Sequence, residues 1–179
     1  MRIWFNKTFS SITAVLHNLR QAEGVGPVTV IVSHTNHTAP AFLAADEAYV
    51  EPRGLMNEKY LKWCLSFCQT HQVEVFWVAK QARFMGQHRA EFEKIGVRLM
   101  LVASPDTLAL LGNKGEFYRL LPPEVALAMD CISVTDKTGF DQAVQTLALK
   151  HKSLCVKTAV SVFGLGFIIL EAGRDSITH

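Results

Sequence analysis

The amino-acid sequence predicts an α/β fold with an open, mostly parallel sheet and helices on both faces, followed by a small α+β subdomain with an antiparallel hairpin. Uninterrupted apolar runs, such as residues 28–32 and 97–102, alternate with amphipathic stretches over the first two thirds of the chain. Such runs are typical of parallel strands that are covered on both faces. With 179 residues, 49% of them hydrophobic, the chain can form one domain and a small appendage.

Five strands are expected in the first part of the chain, at residues 2–5, 28–32, 48–50, 73–78 and 97–102. Helices are expected between them at residues 10–21, 39–45, 57–71 and 81–95. The first of these has an apolar face formed by Ile12, Val15, Leu16 and Leu19. The last ends at Gly96, a residue that commonly terminates helices.

The sequence pattern changes after residue 102. Ser104, Pro105 and Asp106 form a good helix start, and Asn113 opens a second short helix. A strand at 131–134, a helix at 137–149 and a hairpin at 154–170 are expected next. We therefore predict an α/β domain at 1–103, a helical linker at 104–124 and a small subdomain at 125–179.

The charge balance and the apolar runs restrict the partners of this chain. Its net charge is +2, from 18 basic and 16 acidic side chains, which gives no broad positive field for nucleic acid. The apolar run at 159–170 is too short and too rich in glycine to span a bilayer, and the first residues make no signal peptide. We expect no nucleic-acid or membrane partner and a cytoplasmic location.

The four cysteines follow no disulfide or redox pattern. Cys64 and Cys68 are spaced for one helix face, whereas Cys131 and Cys155 lie in strand-like segments. Because the sequence has no CxxC motif, we expect all four to be small, buried apolar residues in a reducing compartment.

The turn after the first strand lacks the glycine fingerprint of dinucleotide-binding enzymes. It contains the residues Asn6-Lys-Thr-Phe-Ser-Ser11, with no GxGxxG. The phosphates of a dinucleotide need those glycines because the backbone must approach them closely. Hydride transfer to NAD is therefore disfavoured.

An apolar strand near the end of the chain carries a lysine and leads into a glycine turn. Lys157 lies in the strand, and Gly164 and Gly166 follow it. This order suits an anionic ligand, because the ammonium meets the charge while bare backbone N–H groups approach it. Lys114, directly after Asn113, supplies a second ammonium. Together these residues predict a site for nucleotide phosphates.

The order of these motifs resembles the opening of an ATP-grasp enzyme. An α/β domain without a glycine fingerprint, an Asn-Lys at a helix start and a Val-Lys strand before a Gly-x-Gly hairpin extend over about residues 1–170. The chain is similar in particular to carbamoyl-phosphate-synthase-like members. In these, a pre-ATP-grasp domain, here 1–103, precedes the first ATP-binding subdomain, here in part at 125–179.

The resemblance implies specific contacts to ATP. Lys114 corresponds to a lysine that contacts the nucleotide phosphates, and Lys157 to the strand lysine that pairs with the α- and β-phosphates. The flexible loop that closes over them corresponds to Gly164, Leu165, Gly166 and Phe167. One departure is Thr158, which stands where the family often has proline, and threonine suits a strand.

The resemblance also implies a reaction. The complete family form uses ATP and Mg²⁺ to convert a carboxylate, whose identity the sequence does not give, into an acyl phosphate, and joins it to an amine or similar nucleophile. The lobe that holds magnesium and faces adenine would follow residue 170, where Glu171 and Asp175 alone make no metal site. We therefore expect a C-terminally truncated, ligase-like protein that is not catalytic by itself.

Two other interpretations stay open. In the first, Lys157 is an edge-strand lysine and the glycines form a plain hairpin turn. In the second, the chain is a non-catalytic α/β module that binds a small ligand or a protein where the parallel strands end. The residues expected in that crevice are Asn6, Ser10, His34, His37 and Lys80.

The C-terminal hairpin also predicts self-association. Its apolar side chains would be partly uncovered if no further lobe packs against them, and exposed apolar strands favour association. These side chains are Phe163, Phe167, Ile168 and Ile169.

Overall fold

The computed structural model describes residues 1–6, 12–22, 24, 26–122, 124–125, 130–160 and 166–171. The chain divides into two compact units, Met1–Asp106 and Thr107–His179. The division falls in the first turn of the helix Pro105–Gly112. Within the described ranges, no helix combines the length and the apolar character needed to cross a membrane.

The first unit contains a five-stranded sheet in which all neighbouring strands are parallel. Its strands are β1 (Arg2–Asn6), β2 (Thr29–His34), β3 (Glu47–Val50), β4 (Val75–Trp77) and β5 (Arg98–Met100). They lie in the order β3-β2-β1-β4-β5, so the strands that follow β1 are placed on both of its sides. The predicted α/β class with an open parallel sheet is confirmed.

Alternate strand residues contribute to two apolar cores, one on each face of the sheet. Trp4 packs with Ile31 and Phe76 on one face, whereas Ile3 and Phe5 pack on the other. Trp4 is fully buried and stacks on Phe76 with ring centroids 3.9 Å apart. Because both faces are covered, apolar residues occur at successive strand positions rather than at every second one.

Helices cover both faces. They are α1 (Ile12–Gln21), α2 (Asn57–Thr70), α3 (Ala82–Gln87) and α4 (Arg89–Lys94), with a 3-10 helix at Pro40–Ala44. Leu16 of α1 belongs to the core with Phe5, and Phe67 of α2 belongs to the core with Trp4. The helices therefore bury the apolar side chains on both sides of the sheet.

Two predicted details of these helices are wrong. Residues 81–95 form two helices, because the backbone of His88 leaves the helical region and its N–H donates to the carbonyl oxygen of Met85. Val15, expected on the apolar face of α1, is 40% exposed, while Leu16 is fully buried. Val15 lies about 60° around the helix from Ile12, on the side away from Leu16 and at the edge of the apolar stripe.

The second unit contains most of α5 (Pro105–Gly112), two further helices and an antiparallel strand pair. These are α6 (Lys114–Leu120), α7 (Lys137–Ala148), β6 (Ser153–Val156) and β7 (Ile168–Glu171). Helix α7 packs on β6, and Leu154 is buried there. The strand predicted at 131–134 is wrong: Ile132 and Val134 are exposed, and no described strand pairs with this segment.

The cysteines occupy two different environments. Cys64 and Cys68 are buried on α2, where burial raises the pKa of the Cys68 thiol to about 12. Cys131 and Cys155 are exposed. The prediction of four buried cysteines is therefore wrong for the second unit. Cys155 is exposed because it alternates with Leu154, whose side chain takes the buried side of β6.

Candidate functional site

Three consecutive residues at the start of α6 have separate structural roles. Asn113 caps the helix, because its Oδ1 accepts hydrogen bonds from the N–H groups of Gly115 at 3.1 Å and Glu116 at 3.3 Å. Lys114 is then the first helical residue. Gly115 lies so close to Ser133 that a Cβ at this position would be 2.7 Å from the hydroxyl oxygen. The cap and this close approach fix the backbone that carries Lys114.

Lys114 contacts the segment that directly follows Lys157. Its backbone N–H, which has no acceptor within the helix, donates to the carbonyl oxygen of Ala159 at 2.9 Å. Its ammonium Nζ donates to the carbonyl oxygen of Thr158 at 3.4 Å. The fold of the second unit therefore brings the two predicted lysines to the same short stretch of chain.

Lys157 was predicted within a strand, but β6 ends at Val156 and Lys157 is the next residue, with an exposed side chain. Cys155 pairs with Ile169, and the same register carried two positions further sets Lys157 opposite Phe167. The Lys157 Nζ lies 5.7 Å from the centroid of the Phe167 ring, in agreement with this pairing. Since side chains alternate along strands, these four residues share one face. Phe167 is 49% exposed and Ile169 is 61% exposed, so this face is accessible.

Gly166 lies against Thr158, two positions beyond the last pair of the ladder, Val156 and Ile168. It has a φ of +74°, and a Cβ there would lie 2.6 Å from the Thr158 Cγ2 methyl. Glycine is therefore required both by the backbone conformation and by the space. Gly164 and Leu165, the other residues that the resemblance assigns to this turn, lie outside the described residues.

A metal ion requires different side chains from those that bind an anion. Within the described ranges, no group of three or more His, Cys, Asp or Glu side chains could hold a metal ion. The lysines and apolar groups of this hairpin suit an anion with an attached flat or apolar part, and they do not fit Mg²⁺.

A second polar cluster lies in the first unit, and its central residue, Glu51, was not predicted from the sequence. Glu51, directly after β3, is 1% exposed. Its Oε1 accepts a hydrogen bond from Ser33 at 2.9 Å, and its Oε2 accepts from Tyr60 at 3.0 Å and from the Lys80 ammonium at 2.9 Å. The Lys80 ammonium also lies 3.8 Å from the centre of the Tyr60 ring. Burial raises the pKa of the Tyr60 hydroxyl far above its ordinary value.

Asn6 completes this cluster at the end of β1. Its Oδ1 accepts from the N–H groups of Ala79 at 2.7 Å and Lys80 at 3.1 Å, and its Nδ2 donates to the Tyr60 hydroxyl at 2.9 Å. The expected gathering of Asn6 and Lys80 at the strand ends is therefore present, but both side chains bind other parts of the same unit. The N–H of Asn36 donates to the His34 ring, His37 is exposed, and Ser10 lies outside the described residues.

The positions of these residues in the sequence could have indicated the cluster. Asn6, Ser33, Glu51 and Lys80 each lie at or just beyond the carboxyl end of a parallel strand, where polar groups converge in such sheets. Glu51, the central acceptor, directly follows the predicted strand at 48–50 but was not among the residues expected there.

Comparison with known proteins identifies a family and a fold. Residues 11–100, half of the chain, match the family model described as PylC-like, N-terminal domain. No curated protein matches the chain.

Several solved structures share the fold. The biotin carboxylase domain of 2-oxoglutarate carboxylase from Hydrogenobacter thermophilus has a TM-score of 0.59 and 13% identity, over 94% of this chain and 37% of that chain. Glycinamide-RNase-transformylase T from Mycobacterium tuberculosis has a TM-score of 0.56 and 17% identity, over 98% and 45%. N5-carboxyaminoimidazole synthetase from Staphylococcus aureus, complexed with ADP, has a TM-score of 0.55 and 14% identity, over 95% and 40%.

These identities show a common fold, and the chain spans less than half the length of each of the three proteins. Together with the family match, they confirm the similarity to the N-terminal region of ATP-grasp proteins that the sequence predicted. The chain belongs to the family of PylC-like N-terminal domains.

Proposed function

We propose that the second unit supplies the phosphate-side contacts to ATP in an ATP-grasp, ligase-like protein. Lys114 and Lys157 are the cations of this site, and Gly166 and Phe167 form the turn beside them. The complete protein would convert a carboxylate into an acyl phosphate and join it to an amine or a similar nucleophile.

One observation carries the proposal. The backbone N–H and the ammonium of Lys114 bind the two carbonyl groups that directly follow Lys157. These contacts anchor Lys114 to the backbone next to Lys157, and two cations bind a multiply charged phosphate chain better than one. A plain edge-strand lysine would need no such link to a second lysine.

The hairpin face also offers a place for the base of the nucleotide. Cys155 and Ile169 lie on the same exposed face as Lys157, two residues away along the hairpin. A flat base can pack against these apolar side chains while the phosphates point towards the ammonium groups. This polarity of the face, apolar at one end and cationic at the other, favours a nucleotide over inorganic phosphate.

We do not expect these 179 residues alone to hydrolyse ATP or to form an acyl phosphate. In-line phosphoryl transfer requires metal ions that neutralise the triphosphate, and the described residues contain no cluster that could hold one. We therefore assign this chain a binding role within the ligase reaction. ATP hydrolysis or acyl-phosphate formation by the isolated chain would contradict that assignment.

The alternative of a ligand-binding module at the sheet edge has less support. Asn6 and Lys80, two side chains expected to face such a ligand, bind backbone groups and Glu51 of the same unit. A ligand would have to replace these buried contacts, and breaking a buried ion pair is costly.

Calorimetric titration of the full chain with Mg-ATP tests the proposal. We expect weak binding, and replacement of either lysine by alanine should reduce the affinity at least about tenfold, since each removes a charged hydrogen-bond donor. Lys152→Ala is the matched control, because Lys152 is an exposed lysine just before β6. Binding that is absent, or that is equally strong in all variants, would favour the module interpretation.

Two further properties belong to this proposal. The exposed residues Phe167, Ile168 and Ile169 support self-association through the hairpin, which light scattering over a range of protein concentrations measures. A reducing, cytoplasmic setting is supported by the four cysteines, all of which are free.

A further inference from the structure

We propose that Thr158 is a positioning residue that connects the two lysines to the glycine turn. The inference rests on the proposed nucleotide site and adds a residue to it. Thr158 is adjacent to Lys157 in the chain, accepts a hydrogen bond from the Lys114 ammonium and packs against Gly166. It is therefore in contact with both lysines and with the glycine of the turn.

The contact with Gly166 depends on the side chain of Thr158. Carrying the register of β6 and β7 two positions further sets Thr158 directly opposite Gly166. The Thr158 Cγ2 atom lies 2.6 Å from the place where a Cβ of residue 166 would be, so this methyl occupies the space that glycine leaves. A β-branched side chain has restricted χ1 freedom and holds that methyl in place.

The contact with Lys114 depends on the backbone of Thr158. The carbonyl oxygens of Thr158 and Ala159 accept from the Lys114 ammonium and from its backbone N–H, at 3.4 Å and 2.9 Å. If the methyl no longer fixes the residues directly after β6 against Gly166, these carbonyl groups lose their fixed position. Lys114 then loses its alignment with Lys157, although neither lysine has been changed.

Three substitutions separate the methyl from the hydroxyl. Thr158→Val keeps the methyl, Thr158→Ser keeps the hydroxyl, and Thr158→Ala keeps neither. Thr146→Ala is the matched control, because Thr146 is an exposed threonine of α7 whose hydroxyl donates to its own helix. Each variant is measured for ATP affinity by calorimetry and for hydrogen exchange of the Lys114 amide by NMR without nucleotide.

We expect the serine and alanine variants to bind ATP about tenfold more weakly, equivalent to about 1.4 kcal/mol. Their Lys114 amide should exchange about tenfold faster, since it reports the bond to Ala159. Valine should restore both values to within about twofold of the wild type, and the Thr146 control should change neither.

The two measurements distinguish failure of this inference from failure of the proposed function. Wild-type protein that binds no ATP overturns the proposed function, and the amide exchange still tests the link from Thr158 to Lys114. Alanine and serine variants that bind ATP like the wild type, or a valine variant as weak as alanine, overturn the positioning role. Unchanged Lys114 exchange in the alanine variant overturns the link itself.

Discussion

Replacement of Lys80 by methionine should strongly destabilise the first unit. The Glu51 carboxylate is 1% exposed, and its Oε2 lies 2.9 Å from the Lys80 ammonium, the cation that pairs with it. Methionine keeps most of the apolar stem but leaves that carboxylate buried without a counter-charge, which costs about 3–5 kcal/mol. The lost contact with the Tyr60 ring acts in the same direction. We expect a loss of about 4 kcal/mol, a large part of the usual stability of a domain.

Urea unfolding followed by tryptophan fluorescence measures this loss. All three tryptophans lie in the first unit, and the buried Trp4 donates to Ser33 beside the cluster, so the signal reports this unit. A loss of 4 kcal/mol lowers the urea midpoint by about 2 M for a typical dependence on denaturant. Lys62→Met, at an exposed position of α2, is the matched control and should change stability by less than about 0.5 kcal/mol.

A double variant separates the loss of pairing from the loss of packing. Glu51→Gln removes the buried charge but keeps one acceptor oxygen, which can still accept from the hydroxyl of either Ser33 or Tyr60. Combined with Lys80→Met, it should be more stable than Lys80→Met alone, because no uncompensated charge remains. A cost below about 1 kcal/mol for Lys80→Met, or strictly additive effects in the double variant, would refute this account of the cluster.

Three other predictions concern the exposed thiols, one ion pair and the hairpin glycine. A maleimide should modify Cys131 and Cys155 rapidly in the native chain, as measured by peptide mass spectrometry. The two cysteines of α2 should resist modification, because burial removes them from solvent and raises the pKa of both thiols. Partial burial opposes ionisation of Glu47, but hydrogen bonds from Arg2 and a nearby tyrosine lower the pKa of this carboxyl below its ordinary value. The stability from this pair is therefore complete above the unfolded pKa of about 4.3 and is lost as the pH falls through the folded pKa, so in urea titrations the cost of Arg2→Met should shrink at low pH. Gly166→Ala places a Cβ at a φ of +74° and 2.6 Å from a methyl, so amide exchange across β6 and β7 should increase.

The sheet of the first unit could be predicted because its strands are buried on both faces. That environment leaves continuous apolar runs in the sequence, as at residues 28–32 and 97–102, and the structure has parallel strands in both segments. Apolar content alone was insufficient at 131–134, because a strand also needs a partner in the ladder, and no local pattern specifies one. The break at His88 likewise depends on a backbone conformation that the 3.6-residue periodicity does not encode.

The lysine site of the second unit could be predicted in part from the sequence, whereas the central residue of the Glu51 cluster could not. Lys157 stood out because a lysine in an apolar strand before a glycine turn is a local pattern. The link from Lys114 to Thr158 and Ala159 joins residues far apart in the chain, and only the fold shows it. Glu51 was missed because its buried state depends on donors from β2, α2 and the residues after β4.

Lysine footprinting of the full chain tests the central claim most directly. The protein is treated with an amine-reactive ester, with and without Mg-ATP, and the modified peptides are quantified by mass spectrometry. We predict that ATP protects Lys114 and Lys157, while the exposed Lys152 is modified equally in both samples. Equal modification of Lys114 and Lys157 with and without saturating ATP would contradict the proposal that these two lysines hold the nucleotide phosphates.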